Sequence, residues 1–164
     1  MNLVDRVRMF FSEQKTIKSN KKLIKKIPFL KMGDNYKRTW LDEVPFGWQQ
    51  FALTYFEKIE KILNDHNAKD YLRITEVKEK WGKLRICYSF VNNPKHEQNK
   101  WIEYIDRLFA TLENESWKIC IDCGSPANYQ TNDYVTPVCD KCKKVIESLY
   151  PNVTVTPKKV INKV

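Results

Sequence analysis

Glycine and histidine are scarce in this sequence. Four glycines in 164 residues leave no run able to wrap a phosphate in a Gly-rich loop. The two histidines, His66 and His96, sit among polar residues, and neither neighbours a Ser or Cys in a nucleophile motif. Both therefore read as surface residues. Long apolar runs are missing too, since none approaches the ~20 residues of a membrane span. The opening Met1-Asn2-Leu3-Val4-Asp5-Arg6 lacks the apolar core of a secretory signal. These absences predict a soluble protein of the cytoplasm with no membrane partner.

Against that background, five cysteines stand out. Cys120-Ile-Asp-Cys123-Gly124 and Cys139-Asp-Lys-Cys142 are two Cys-x-x-Cys pairs fifteen residues apart, the spacing of a four-thiolate zinc site. A two-residue gap lets one tight turn aim two sulfurs at a single ion, and Gly124 suits that turn because it tolerates positive φ. Disulfides belong to exported chains, and a redox pair needs no second pair at this spacing. The residues between read as a short hairpin, Asn128 to Thr131 and Tyr134 to Val138. A helix from about Lys143 follows and stops before Pro151. Knuckle, hairpin and ligands at a helix start predict a treble-clef-like module holding one structural zinc ion. Four protein ligands fill a tetrahedral ion and leave no open position for catalysis.

The formal net charge is +9, and its distribution matters more than its total. Residues 1–31 hold nine Lys/Arg against two acids, whereas residues 120–150 hold three against four. A zinc module without basic surplus weakens the expectation that it reads DNA by itself. In the N-terminal segment Lys21, Lys22, Lys25 and Lys26 recur on one helical face opposite Leu23, Ile24 and Ile27. Such a face either lies along phosphates or an acidic groove, or is merely solvated. Leu3, Val4, Val7, Phe10 and Phe11 give an earlier stretch the same helical period.

A broad apolar stripe, Trp48, Phe51, Ala52, Tyr55, Phe56, Ile59, Ile62 and Leu63, predicts a core helix from Phe46 to about Asp65. Leu84, Ile86, Tyr88 and Phe90 alternate with Lys83, Arg85, Cys87 and Ser89, the period of a half-buried strand. Leu72 and Ile74 begin its partner, with a turn near Lys80-Trp81-Gly82. Val77 falls out of phase and implies a bulge. Asn92-Asn93-Pro94 closes the hairpin. A second helix, carrying Trp101, Ile102, Ile105, Leu108, Phe109 and Leu112, runs to about Trp117.

The expected fold is α+β: two amphipathic helices around an antiparallel hairpin. By range, residues 1–31 form a basic helical arm, 32–117 the core, 118–150 the four-cysteine zinc module and 151–164 a basic tail, mobile at its end. Lys78, Lys80, Lys83 and Arg85 flank Trp81 at the hairpin turn. Basic residues around an exposed aromatic would suit single-stranded nucleic acid. The large area of a tryptophan favours the other reading, in which Trp81 packs over the hairpin end. Cys87 reads as a quiet buried thiol. Asp70 with Glu76-Val77-Lys78 matches the pattern of a metal-dependent nuclease weakly, since Glu13-Gln14-Lys15 arises in the same chain.

Val77-Lys78-Glu79-Lys80-Trp81-Gly82-Lys83-Leu84-Arg85, a following helix and the cysteine quartet together resemble small phage-encoded zinc-finger proteins of largely unassigned function. The resemblance covers about residues 46–142. Phage accessory proteins of this size include inhibitors of CRISPR nucleases, and the Lys-rich, Gly-poor composition is similar to that of phages of low-GC hosts. The resemblance implies a non-enzymatic anti-CRISPR-type protein in the bacterial cytoplasm. Its partner would be a host protein or ribonucleoprotein, with nucleic acid a further possibility. Many such inhibitors are acidic DNA mimics. This chain is basic, so it would instead grip protein, guide RNA or target DNA, at Lys21, Lys22, Lys25, Lys26 and the Lys78–Arg85 turn. A direct DNA- or RNA-binding protein is the alternative from another class.

Overall fold

The computed structural model describes residues 16–34, 36–91, 100–132 and 134–158. The expected helix over 3–11, the Asn92-Asn93-Pro94 closure, His96 and residues 159–164 lie outside the described residues. The fold is α+β, with four helices and two small antiparallel sheets among those residues. Helix α1 is described over 16–26, α2 is Phe46–Asp65 and α3 is Lys100–Ser116. Strands β1 (Leu72–Lys80) and β2 (Lys83–Phe90) form the first sheet.

Burial follows the periods that the residues dictate. In α2, Trp48, Ala52, Phe56, Ile59 and Leu63 recur three or four apart and are fully buried. In α3, Ile102, Ile105, Leu108, Phe109 and Leu112 line one buried face in the same way, though Leu108 and Phe109 are not fully covered. These faces meet the inner side of the hairpin, where Leu72, Ile74, Val77 and Leu84 are buried. Tyr88 stacks on Phe109 at 4.1 Å between centroids, and its hydroxyl donates to Asp106 Oδ1 at 2.7 Å. The hairpin register shifts between Ile74 and Glu76, leaving Thr75 as the extra residue of a bulge. That extra residue returns Val77 to the core face.

The N-terminal segment enters this core. Lys21, Lys22, Lys25 and Lys26 are exposed, while Ile24 and Ile27 turn inward. After α1 a 3-10 turn, Pro28–Leu30, buries Phe29 and Leu30, and Phe29 meets Phe56 edge-on at 5.9 Å. A boundary drawn at residue 31 from charge alone therefore crosses a packed segment. Charge marks the wet face of α1 and says nothing of its apolar side.

Beyond α3 come β3 (Tyr129–Thr131), β4 (Pro137–Val138), helix α4 (Asp140–Leu149) and β5 (Val155–Pro157). The sheet order is β4-β3-β5. The first part of the expected tail, residues 151–158, is described, and its end lies outside the described residues. Val155–Pro157 pairs antiparallel with β3, satisfying an edge that would otherwise stay open. Lys158 Nζ then donates to the Trp117 carbonyl at 2.5 Å and lies over the Trp117 ring, and burial holds its pKa below the usual lysine value.

One charged residue sits in the helical core. Glu60 is 5% exposed; its Oε1 accepts from Asn64 Nδ2 at 3.0 Å, and Oε2 has no partner among the described residues. Burial raises its pKa, partly offset by Asn64 and Lys69. A carboxyl raised on folding contributes stability present below its unfolded pKa and lost as pH rises through the folded value. Glu60→Gln is therefore expected to raise the melting temperature at neutral pH. The gain should vanish toward about pH 3, below the unfolded glutamate value, where the wild-type carboxyl is protonated in both states. Thermal melts of both proteins across that range check it.

Candidate metal centre and exposed basic hairpin

Two local devices bring the four cysteines together. Residues 119–126 fold back on themselves: Ile119 bridges Pro126, Cys120 N donates to Ser125 O at 2.7 Å, and Gly124 N donates to Cys120 O at 3.0 Å. Gly124 closes this knuckle at φ +78, a conformation that favours glycine. The other two ligands open α4. Cys139 is its N-cap, with Sγ accepting from Cys142 N at 3.4 Å, and Cys142 lies in the first turn. All four Sγ atoms fall within 4.8 Å of one another, and Cys123 and Cys139 are 3.5 Å apart. Tetrahedral thiolates about 2.3 Å from one ion would be about 3.8 Å apart, so the cluster fits a single metal ion.

The electrostatics fit a cation as well. The Ser125 hydroxyl and backbone N–H lower the Cys123 pKa to about 6, favouring the thiolate. Burial, then the neighbouring thiols Cys123, Cys139 and Cys120, push Cys142 above the ordinary thiol range. Burial raises Cys120 too. Four sulfurs this close resist joint ionisation unless a positive ion sits among them. The donor set, four soft ligands, suits a soft or borderline ion.

The knuckle is locked to the start of α2. Gly47 N donates to Ile121 O at 2.8 Å, and the buried Trp48 donates from Nε1 to Ile119 O at 2.9 Å. A Cβ on Gly47 would lie 2.3 Å from Cys120 O and 2.7 Å from Gly124 N. One on Gly124 would lie 2.8 Å from Gly47 O. Only two glycines face to face permit this approach. The cysteine cluster is thus a buttress of the helical core. Beside it a groove of about 590 Å3, lined by Phe46, Gln50, Phe51 and Cys123 among others, leaves Cys123 exposed.

The second candidate site is the hairpin tip. Trp81 and Gly82 form a two-residue turn with φ 55 and 77, the type I′ pattern. Asn, Asp or Gly is the usual first residue there, and a left-handed tryptophan costs roughly 1–2 kcal/mol. Trp81 recovers little by burial, being 74% exposed with no ring contact among the described residues. The reading in which Trp81 covers the hairpin end is corrected: Trp117 does so. A Cβ on Gly82 would lie 2.2 Å from the Trp117 ring. On the outer face, Lys78 stands opposite Arg85 and Lys80 opposite Lys83. Lys78 pairs with Glu76 at 2.6 Å and Arg85 with Glu113 at 2.9 Å. Lys83 reaches the neutral Asn114 at 2.9 Å, and among the described residues no ion pair involves Lys80.

In comparisons with known proteins, no family model, curated protein or solved structure matches this chain. Its sites are read from their own residues.

On α1, Lys26 pairs with Glu57 at 2.5 Å and Lys21 lies over the Tyr36 ring at 5.4 Å; both remain exposed, as do Lys22 and Lys25. Cys87 is half-buried rather than buried, its thiol 3.5 Å from Glu76 Oε2 on the outer hairpin face. Glu76 is exposed, and Lys78 lowers its pKa first among several causes. His66 is exposed and stacks on Trp101 at 5.5 Å. Sequence reasoning passed over Tyr134, which is 84% exposed. An aromatic beside Asn132-Asp133 at a hairpin turn was the available signal.

Proposed function

We propose that this chain is a zinc-stabilised, non-enzymatic phage accessory protein that binds a host nucleic-acid machine, with a guide-loaded CRISPR nuclease the first to test. Zinc is the ion that suits a closed four-thiolate site with a knuckle, a hairpin and two ligands at a helix start, a treble-clef-like arrangement. Four protein ligands leave that ion no vacancy for substrate, which supports a structural role. The observation that carries the binding role is Trp81: a rigid aromatic held out at a turn, among lysines. Arg, Lys and Trp on a stiff scaffold are the residues with which one protein occupies another's binding surface.

The direct DNA- or RNA-binding reading draws on the same hairpin, because two antiparallel strands fit a major groove. One experiment separates the two. Purified protein is mixed with a guide-loaded Cas9-type nuclease, and complex formation and target-DNA binding are measured. A stable complex and blocked DNA loading are expected. Neutralising Lys21, Lys22, Lys25 and Lys26 to Gln should weaken it and flatten its salt dependence. The melting temperature should hardly move, since exposed charges contribute little to stability. If no complex forms and the protein alone shifts DNA with a steep salt slope, direct binding replaces this reading. Cleavage of DNA with magnesium, abolished by Glu76→Ala, would overturn both.

A further inference from the structure

Trp81 and Tyr134 are two strongly exposed aromatic side chains, and they come from segments about fifty residues apart. The fold sets their backbones side by side. A Cβ on Gly82, the residue after Trp81, would lie 2.8 Å from the carbonyl oxygen of Val135, the residue after Tyr134. We propose that these two rings form a stacking platform for single-stranded nucleic acid, with Lys80 and Lys83 holding the adjoining phosphates.

Three independent features support a ligand here. The first is local cost without local return. Trp81 occupies a left-handed turn position where Asn would sit more comfortably, and it is 74% exposed with no aromatic-ring contact among the described residues. Strained residues held in place by their surroundings concentrate at binding sites. The second is charge. Like charges directly across a strand pair oppose each other, yet Lys80 faces Lys83 on the outer side of the last pair before the turn. Glu76 and Glu113 form their ion pairs with Lys78 and Arg85, Glu76 acts on Lys80 only through space, and among the described residues no ion pair involves Lys80 or Lys83. Glu79 lies on the opposite face, across from Leu84, and its Oε1 accepts from Gly82 N at 2.6 Å. Two lysines without an ion pair among the described residues therefore flank the turn that carries the exposed indole.

The third feature is rigidity. Gly82 is seated against Trp117, and the loop carrying Tyr134 is pinned by Thr131. That buried hydroxyl donates to the Tyr134 carbonyl, accepts from Thr136 N at 3.1 Å and meets the Thr136 hydroxyl at 2.8 Å. Both rings are thus presented on fixed backbones, which reduces the ordering that binding requires. Exposed aromatics with adjacent cations accept any base through its π-face and the backbone through its charge. A duplex hides its base faces, so a stacking platform prefers single strands. Base stacking and phosphate contact are common to DNA and RNA.

The inference deepens the proposed function, naming what the hairpin would touch within a nucleic-acid machine, and its test is kept separate from that reading. Full-length protein is titrated with labelled oligo-dT and oligo-rU of about 12 nucleotides, a length within the range single-strand sites take, and with a duplex of equal length. Binding of both single strands with quenching of tryptophan emission is expected, and weaker binding of the duplex. Trp81→Asn should reduce affinity about tenfold or more and remove most of the quench. Its melting temperature should stay level or rise, because Asn suits the turn. Trp81→Phe keeps a stacking ring and should retain most of the affinity. Tyr134→Ala should weaken binding too, and Lys80→Gln with Lys83→Gln should lower the salt slope by about 1.4, or about 0.7 per phosphate contact.

Unchanged affinity in Trp81→Asn, or tighter binding of duplex than of single strands, overturns the inference. A preference between dT and rU assigns the source of the strand. If the nuclease is blocked but no oligonucleotide binds, the function stands and this contact is wrong. If oligonucleotides bind through Trp81 and no nuclease complex forms, the contact stands and the function is wrong.

Discussion

Cys123→Ser is expected to release the metal and unfold at least residues 119–158. Cys123 is exposed, so little of the loss can be assigned to packing. A serine hydroxyl is a poor replacement for a thiolate ligand, and a structural zinc site contributes on the order of 10 kcal/mol of apparent binding free energy that is also folding free energy. Whole domains hold about 5–15 kcal/mol, so losing the ion removes a comparable amount. The damage should travel into the helical core. Gly47 N and Trp48 Nε1 both donate to knuckle carbonyls, and those carbonyls stay in place only while the knuckle is closed. Hydrogen exchange reads this directly: the Gly47 amide should lose protection with the knuckle, while amides near Ile59 keep more of theirs. Full metal occupancy in the mutant would remove Cys123 from the ligand set.

Trp48→Ala should be the most damaging single change outside the cluster. Trp48 is fully buried where α2 meets the knuckle, and truncating a buried aromatic costs about 3–5 kcal/mol. The Ile119 carbonyl also loses its donor, adding about 1–3 kcal/mol if it stays dry. At roughly 2–4 °C per kcal/mol for a chain of this size, the melting temperature should fall by about 10 °C or more. Trp48→Phe keeps most of the volume and loses the hydrogen bond, so its drop should be smaller. Phe46, two residues earlier, is 78% exposed and serves as the control. If Phe46→Ala is as damaging as Trp48→Ala, the docking of α2 on the knuckle is not what holds these parts together.

Periodicity and spacing made much of this legible in advance. The α2 stripe from Trp48 to Leu63, the bulge before Val77 and the meeting of the cysteine quartet all follow from local rules. Residues a few positions apart decide the first two, and the spacing of the two Cys-x-x-Cys pairs the third. What escaped depends on partners distant in the chain. Trp81 looked like a hairpin cover because tryptophan usually buries its area. Nothing in the sequence reveals that Trp117, thirty-six residues on, already occupies that place. Gly47 reads as an ordinary weak point of a helix until Gly124 is seen against it. Val155–Pro157 looked like tail because its pairing partner, β3, is itself only three residues long. Ile27 and Leu30 were hidden under a charge pattern that describes only the other side of α1. The sites follow the same division: the cysteine quartet was visible as a motif, whereas the approach of the Gly82 and Val135 backbones, beside Trp81 and Tyr134, exists only in the folded chain.

Elemental analysis and native mass spectrometry of the full chain, purified without added metal and then challenged with a strong chelator, test the central claim most directly. One zinc per chain is expected, released by the chelator together with a large fall in melting temperature and loss of protection at Gly47. A metal-free protein, or one whose melting temperature is the same before and after chelation, would contradict it.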